Sequence, residues 1–508
     1  MLTRRDFLKI AGAASLSLSL PEVSLKNHWS RSLEPKHNIL IIVLDALSAY
    51  HINMFGYDRK TMPNLSNLAE KAIVYHSHYA GGNYTTPGTA SILTGTLPWT
   101  HRAVVHNDVV ADDFVDKNIF SVFPDYYKIA YSHNILVNTQ LRQFEKYIDE
   151  YTPRTRLFLG NDSFIKELFE NDDDIASVGW VRALKREEEG YSYSLFLSRI
   201  YELLKGKKIK EFGENYPRGL PSVNVDEYYI LEQGVDYLIK QLSEIPHPFL
   251  GYYHFLPPHE PYHPRKEFIG SFDGDGIKII NKPFHLFSQG KDYDLLNKHS
   301  NYYDEFIRYA DYEFARLFDS MERKGLLDNT YLILTSDHGE LFERGILGHS
   351  TPVLHQPIIR VPLLLFEPGR TSRLDVYQPT SCIDLLPTLL YLDEKEIPDW
   401  VEGSVLPPFV DQNEVAERDL FVVQVKGDIK DKPITKGTIM LLRGAMKLMY
   451  YFGYNELGQN DHFLELYDLE NDPNELNNLY PSNKSAGNEL LAVIQHNLVY
   501  VNSPYMNN

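Results

Sequence analysis

Six side chains spread along the sequence have the types that hold a cation or attack an ester: Asp45, Thr85, His259, Asp337, His338 and His349. Two carboxylates, an imidazole and a hydroxyl are a donor set for one divalent metal. A metal lowers the pKa of a nearby hydroxyl and turns a weak nucleophile into a strong one. Asp45, Thr85, Asp337 and His338 are the predicted metal set. Thr85 is the predicted nucleophile, and His259 and His349 are further imidazoles of the kind that take part in proton transfer. Each residue alone has a plainer explanation, since an Asp after a strand often only caps a helix.

The surrounding segments decide whether these residues can meet. NILIIVLDAL is a continuous apolar run ending in Asp45, as expected of a parallel strand buried on both faces. KIAYS near Ile129, FLGYYHF from Phe249, TYLILTSD from Thr330 and VPLLLF from Val361 are further strands. NLSNLAEKAI, VDYLIKQLSEI and SNYYDEFIRYADYEFARLFDSM have helical periodicity. This alternation predicts an α/β doubly wound, mainly parallel sheet flanked by helices, with ligands at the carboxyl ends of the strands. Asp45, His259 and the Asp337–His338 pair all follow strands. Thr85 lies in GGNYTTPGTASILTG, where a Gly/Pro turn leads into a helix beginning at ASILTG, and amides at a helix start favour an anion.

The predicted organisation is a signal and linker over residues 1–30, a catalytic domain over 36–400 with a helical insertion at about 154–224, and a small antiparallel α+β subdomain over 401–508. In that last part ITKGTIMLLRGAMKLMYYFGY reads as two strands around a glycine turn. The insertion, with NDDDIAS and KREEEG, is placed at the mouth of the site. Asp172, Asp173 and Asp174 fit a solvated loop.

Composition narrows the partners. A net charge of −19 over 508 residues argues against nucleic acid, whose phosphates require clustered Lys and Arg. The single cysteine, Cys382, rules out an intrachain disulfide. It sits in the apolar SCIDLLPTLLYL and reads as a small core residue. At the N-terminus, Arg4 and Arg5 precede Phe7, Leu8 and Lys9 and a mild apolar stretch from Ile10 to Leu20. That pattern resembles a twin-arginine signal, which predicts recognition by the twin-arginine export machinery and a periplasmic or extracellular location. The stretch is short for a bilayer span, and no other apolar run reaches that length. HEPYH, from His259 to His263, spells H-E-x-x-H, but Pro258, Pro261 and Pro264 forbid the helix that a zinc protease requires.

LDAL, GYDRKTMPNLSNLAEKAIVYHSHYA, TTPGTASILTG, PPHEPY, SDHGELFERGILGH, RVPLLLFEPG, DLLPTLL and ELYDLENDPNELNNL occur in the order found in the sulfatase family. The chain resembles that family over nearly all of its length after the signal. The resemblance implies an alkaline-phosphatase-like α/β core with a smaller C-terminal sheet, and a metal site that activates a nucleophile against a sulfate or phosphate ester. It also implies that His259 or His349 stabilises the ester oxygens or protonates the leaving alcohol, and it matches Lys447 to a family position read as structural.

The departures are chemical. Sulfatases proper carry a formylglycine made from Cys or Ser in C/S-x-P-x-R. Here Thr85 stands at that position and Thr89 at the Arg. Ala46 replaces a second Asp after the first strand, and Asp337–His338 replaces Asp–Asn. The set resembles the phosphate-handling branches of the superfamily. A hydrated formylglycine sheds sulfate by collapse of a hemiacetal, a route closed to Thr, whereas a Thr phosphate is cleared by in-line attack of water at phosphorus. The expectation is therefore an exported hydrolase of a phosphate or phosphonate ester, on a glycan or lipid head group, with one divalent cation. Mn or Zn is favoured, and Ca or Mg also suits the donors. A sulfuric ester hydrolase, a phosphoalcohol transferase and an inactive binding protein are the alternatives. Asp311 is expected to fix loops, and Asn83 and Glu340 are assigned no role in catalysis.

Overall fold

The strand predicted to end at Asp45 forms β1, Asn38–Leu44, with all seven residues buried. Alternation along it serves two separate cores. Ile39, Ile41 and Val43 point into one, and Leu40, Ile42 and Leu44 into the other. That is why the run is uninterrupted: each fully buried Ile or Leu contributes about 1.5–3 kcal/mol of transfer free energy, whichever face it takes.

The structure is a computed structural model that describes residues 36–106, 108–159, 192–224, 227–410, 418–427 and 429–506. The twin-arginine segment and Asp172, Asp173 and Asp174 lie outside the described residues. Residues His37–Asn508 form one compact unit.

The remaining strands of the large sheet are β2 (Ile73–Tyr75), β3 (Tyr127–Ser132), β4 (Glu150–Thr152), β5 (Phe249–Phe255), β6 (Thr330–Thr335), β7 (Leu363–Phe366) and β8 (Leu374–Val376). They lie in the order β8-β2-β7-β6-β1-β5-β3-β4. β1 pairs in parallel with β5 and β6, and β3 in parallel with β5 and β4. Only β7 runs against its neighbours β6 and β2. The sheet is thus mainly parallel, as the alternation predicted. The short strands β2, β4 and β8 are additions. The helical reading of NLSNLAEKAI holds for α1, Pro63–Leu68, and a following short turn, after which Ile73 enters β2.

Helices cover both faces. On the Ile39 side lie α2 (Thr85–Thr94), α3 (Ile135–Gln143) and, later in the chain, α7 (Leu385–Leu392), with Leu386 buried in it and Cys382 buried in the turn just before it. The insertion contributes α4, Ser192–Gly213. On the Leu40 side lie α5 (Leu231–Gln241) and the long α6 (Tyr293–Arg323). Asp311 of α6 accepts the backbone N–H groups of Asn64 and Leu65 and so holds the start of α1, the loop-fixing role expected of it.

A four-stranded antiparallel sheet follows: β9 (Leu420–Val425), β10 (Gly437–Arg443), β11 (Met446–Phe452) and β12 (His462–Asp468), closed by α8 (Lys484–Asn502). Val423, Ile439 and Leu441 pack into the same core as Ile39. Lys447 is fully buried and donates to Glu475 Oε1 at 2.6 Å and to the carbonyl of Leu354 at 2.6 Å, a structural role.

Candidate active site

The carboxyl ends of β1, β5 and β6 lie side by side, so residues that leave them are neighbours. Asp45 follows β1, and Asp337 and His338 follow β6. Their donor atoms, with that of His338, lie within 4.8 Å of one another, and all three residues are buried. Ala46 takes a positive φ of 61°, and its N–H donates to Asp337 Oδ1 at 3.3 Å. This turn swings the chain away and leaves Asp45 facing the Asp337 carboxylate.

Thr85 is the first residue of α2, which starts earlier than the ASILTG segment predicted. Pro87 is tolerated because the first turn has no intrahelical partner for its N–H. The N-cap residue, Tyr84, makes no side-chain capping hydrogen bond to the first turn. Gly88 allows the close approach. A Cβ there would lie 2.2 Å from the Asp337 carbonyl oxygen. Thr85 Oγ1 lies 3.3 Å from His338 Nε2 and 3.4 Å from Asn134 Nδ2.

Two of the groups that meet here were not predicted. Asn134 caps α3 with its side-chain oxygen and donates from Nδ2 to Asp45 Oδ2 at 2.6 Å. His254, inside β5, places Nε2 3.2 Å from Asp45 Oδ2 and 3.8 Å from Asp337 Oδ2. An imidazole from the neighbouring strand thus faces both carboxylates, whereas the position after Asp45 is Ala46. The signal for His254 was its place near the carboxyl end of FLGYYHF. For Asn134 it was a cap residue directly after KIAYS.

The predicted His259 and His349 also arrive. Their rings are 4.9 Å apart, and that of His349 is 4.3 Å from His338. A two-residue hairpin, Phe342–Glu343 with Ile346–Leu347, turns the chain so that His349 returns to the site. Glu340, given no role from sequence, is fully buried and lies 3.0 Å from His349 Nδ1. Asn83, likewise given none, donates to the carbonyls of His349 and Thr351 and holds that loop. Both contacts hold His349 and its loop in place, and neither gives its residue a catalytic role.

Hydrogen bonding fixes the imidazole tautomers. His338 Nδ1 donates to the Gly339 carbonyl at 2.9 Å, His259 Nδ1 to the Glu260 carbonyl at 2.7 Å, and His349 Nδ1 to Glu340. In each neutral ring the lone pair therefore sits on Nε2. The Nε2 of His338 lies 3.5 Å from Asp45 Oδ1 and 3.6 Å from Asp337 Oδ2. Burial disfavours charge at Asp45, but His259, His254 and His338 hold its carboxyl well below the usual range. Burial likewise opposes a charge on His338, yet Asp337 and Asp45 raise it to about 9. Asp45 and Glu340 raise His259 against its own burial.

Asp45 Oδ1, Asp337 Oδ2 and His254 Nε2 are buried without a hydrogen-bond partner. Buried polar atoms are normally satisfied, and two converging carboxylates repel. Orphaned oxygen and nitrogen atoms around one point fit a divalent cation. A second group of metal-type donors, His285, His355 and Glu465, is different in kind. There His285 Nδ1 accepts the Phe287 N–H at 3.1 Å, so its Nε2 carries the proton and donates to Glu465 at 3.2 Å.

Thr85 and Asn134, which touch the orphaned cluster, line a cavity of about 530 Å³ together with Tyr84, His106, His259 and His349. The sulfatase family model matches residues 37–392, which span the sheet and every residue of this cluster. The chain belongs to the sulfatase family. A second family model, N-sulphoglucosamine sulphohydrolase, C-terminal, matches residues 350–502. This sulfatase-family chain is 24% identical over 469 residues to a choline-sulfatase of Rhizobium meliloti, covering 87% of this chain and 82% of that one. It is 22% identical to an arylsulfatase of Clostridium perfringens over 88% and 91% of the two chains. Among solved structures it resembles the phosphonate monoester hydrolase of Agrobacterium radiobacter with a TM-score of 0.65 at 17% identity, covering 93% and 96% of the chains. A structure in complex with its substrate D-glucosamine-2-N,6-O-disulfate matches with a TM-score of 0.64 at 15% identity, over 94% and 100%. The fold is alkaline-phosphatase-like, and the protein is a sulfatase-like ester hydrolase.

Proposed function

We propose that the protein hydrolyses a phosphate or phosphonate ester through Thr85, with one divalent cation held by Asp45, Asp337 and His338 and joined by Thr85 Oγ1. His254 is an added donor to that set. The observation that carries this reading is the hydroxyl of Thr85, 3.3 Å from His338 Nε2, beside unpartnered oxygens of Asp45 and Asp337. Bound there, a cation supplies positive charge that favours the ionised hydroxyl and offsets the ester oxygens. Mixed oxygen and nitrogen donors favour Mn or Zn.

Thr85 Oγ1 attacks phosphorus in line, forming an O–P bond as the bond to the leaving alcohol breaks. The amides at the start of α2 and Asn134 Nδ2 steady the oxygens on that side. His259 or His349 gives a proton to the leaving oxygen. Glu340 orients His349 by accepting from its Nδ1. Water then attacks phosphorus and returns its proton to the same imidazole, and the Thr85–phosphorus bond breaks.

The second reading is a sulfuric ester. It is favoured by the sulfatase names of the relatives and by the sulfated glucosamine held by one structural neighbour. That neighbour also supports a glycan ester as the substrate class. A metal-reconstituted panel of aryl sulfate, phosphate monoester, phosphonate monoester and phosphodiester separates the two. Phosphorus esters should be cleaved and a phosphoryl adduct trapped on the Thr85 peptide. Sulfate release alone overturns the ester preference, and activity on any ester that is blind to Thr85→Ala overturns the nucleophile. The Arg4–Arg5 pattern supports export, which cell fractionation with an Arg4→Lys/Arg5→Lys variant tests.

A further inference from the structure

Four imidazoles meet at the active site, and one of them is set differently from the rest. His338 and His259 give their Nδ1 protons to backbone carbonyls, and His349 gives its own to Glu340. Those partners only accept, so each fixes its ring. His254 Nδ1 lies instead 3.1 Å from the Tyr252 hydroxyl. A hydroxyl both donates and accepts, so this contact alone allows two arrangements. In one, the phenol gives its proton to Nδ1 and Nε2 carries a hydrogen. In the other, Nδ1–H donates to the phenol oxygen and Nε2 keeps its lone pair.

The surroundings choose between them. His254 Nε2 is 3.2 Å from Asp45 Oδ2 and 3.8 Å from Asp337 Oδ2, yet it makes no hydrogen bond to either. A hydrogen on Nε2 would have no well-directed acceptor, whereas a lone pair there suits a cation held by the two acids. This second arrangement needs a place for the phenol proton, and Thr89 supplies one. Its hydroxyl faces the Tyr252 phenol, and Thr89 Oγ1 has no other hydrogen-bond partner. All three side chains are fully buried, so bulk water does not compete for these bonds.

Local geometry brings the three together. Tyr252 and His254 are two residues apart in β5 and share a face of the strand. Tyr252 packs in the same core as Ala90 and Ile92 of α2. Thr89 lies one turn beyond Thr85 in that helix, so the helix that begins with the nucleophile also ends this line of hydroxyls. An Arg at this place would offer donors alone and could not take the phenol proton.

We propose that the hydroxyls of Thr89 and Tyr252 are positioning groups that turn the Nε2 lone pair of His254 towards the cation, and so make the site prefer a nitrogen-binding metal such as Zn over Mg. The inference rests on the cation reading above and deepens it.

Calorimetric binding of Zn and of Mg to the metal-free full chain tests this. Tyr252→Phe keeps the ring and removes the hydroxyl. It should weaken Zn about tenfold and leave Mg within about twofold, since Mg draws on the oxygen donors. Thr89→Val should weaken Zn in the same sense but by less, and serves if Tyr252→Phe fails to fold. His254→Ala should weaken Zn at least as much as Tyr252→Phe, and combining the two should cost nothing further. Unchanged Zn affinity in Tyr252→Phe, equal weakening of Zn and Mg, or losses that add in the double variant overturn the positioning role. Asp337→Asn separates this from the cation reading. It should abolish binding of both metals, and Zn binding that survives it overturns that reading and the positioning role together.

Discussion

Among the described residues, two clusters of acids and histidines could hold a metal, and the hydrogen bonds of their acids separate them. In the first, Asp45 Oδ1, Asp337 Oδ2 and His254 Nε2 converge without partners. In the second, at the small sheet, both ring nitrogens of His355 lack a hydrogen-bond partner, but every acidic oxygen is satisfied. Glu465 accepts from Tyr451 at 2.6 Å and Tyr467 at 2.9 Å, and Glu475 accepts from Lys447 at 2.6 Å and the Gln356 N–H at 2.8 Å. The tautomers differ in the same sense. His338 is held through Nδ1–H with its Nε2 aimed at acids, while His285 takes a backbone N–H on Nδ1 and donates from Nε2. Composition alone would have placed a metal in either. The difference lies in the carboxylates: unsatisfied acidic oxygens that converge fit a cation, and acidic oxygens that each accept a hydrogen bond make a structural joint.

Substitutions break this contrast in opposite directions. The largest expected effect is Thr85→Ala, which should lower kcat by about 10³-fold or more. Its melting temperature should stay within about 2 °C of wild type, since one hydroxyl beside an orphaned cluster adds little to the fold. At the joint, Lys447→Met strands Glu475 in a fully buried site and should cost about 3–5 kcal/mol by denaturant titration. The folded fraction should keep its kcat. Pairing it with Glu475→Leu should recover much of the loss, because an apolar pair needs no compensating charge.

Metal sharpens the comparison next. Mn or Zn at a hundredfold its Kd should stabilise the wild type by about 2.7 kcal/mol. Asp337→Asn should erase that gain, while Glu465→Gln should leave it in place. The smallest effect is on pH dependence. Burial raises the Glu465 carboxyl, but His285 and His355 outweigh it and lower the group from its ordinary 4.5 to about 2. A depressed carboxyl contributes stability above its unfolded value, and that stability is lost as pH falls from about 4.5 through about 2. Glu465→Gln should flatten the acid-unfolding curve in this window, and an unchanged curve would remove Glu465 from the joint.

The legible part of the site was the part that follows strands. Asp45 and Asp337–His338 sit just beyond uninterrupted apolar runs, and an acid at the end of such a run stands out against it. His259 and His349 were legible through the loops that carry them. His254 was not, because it lies inside FLGYYHF, where a buried polar residue gives no indication of what faces it across the sheet. Glu340 was hidden for a different reason. Its contact with His349 depends on a hairpin of two paired residues on each side, too short for any periodicity. The early start of α2 at Thr85 was masked by Pro87 and Gly88, which read as a turn yet are tolerated in a first helical turn packed on Asp337.

By itself the sequence determined the mainly parallel sheet, the nucleophile-type residue at the head of a helix and the acids at strand ends, because all of these follow from local periodicity and chain order. Only the tertiary structure decided which atoms are left without partners. It brought His254 against Asp45 and turned His349 onto Glu340. Strand order and loop packing join residues far apart in the chain, and no local pattern of side chains encodes the convergence of two carboxylates.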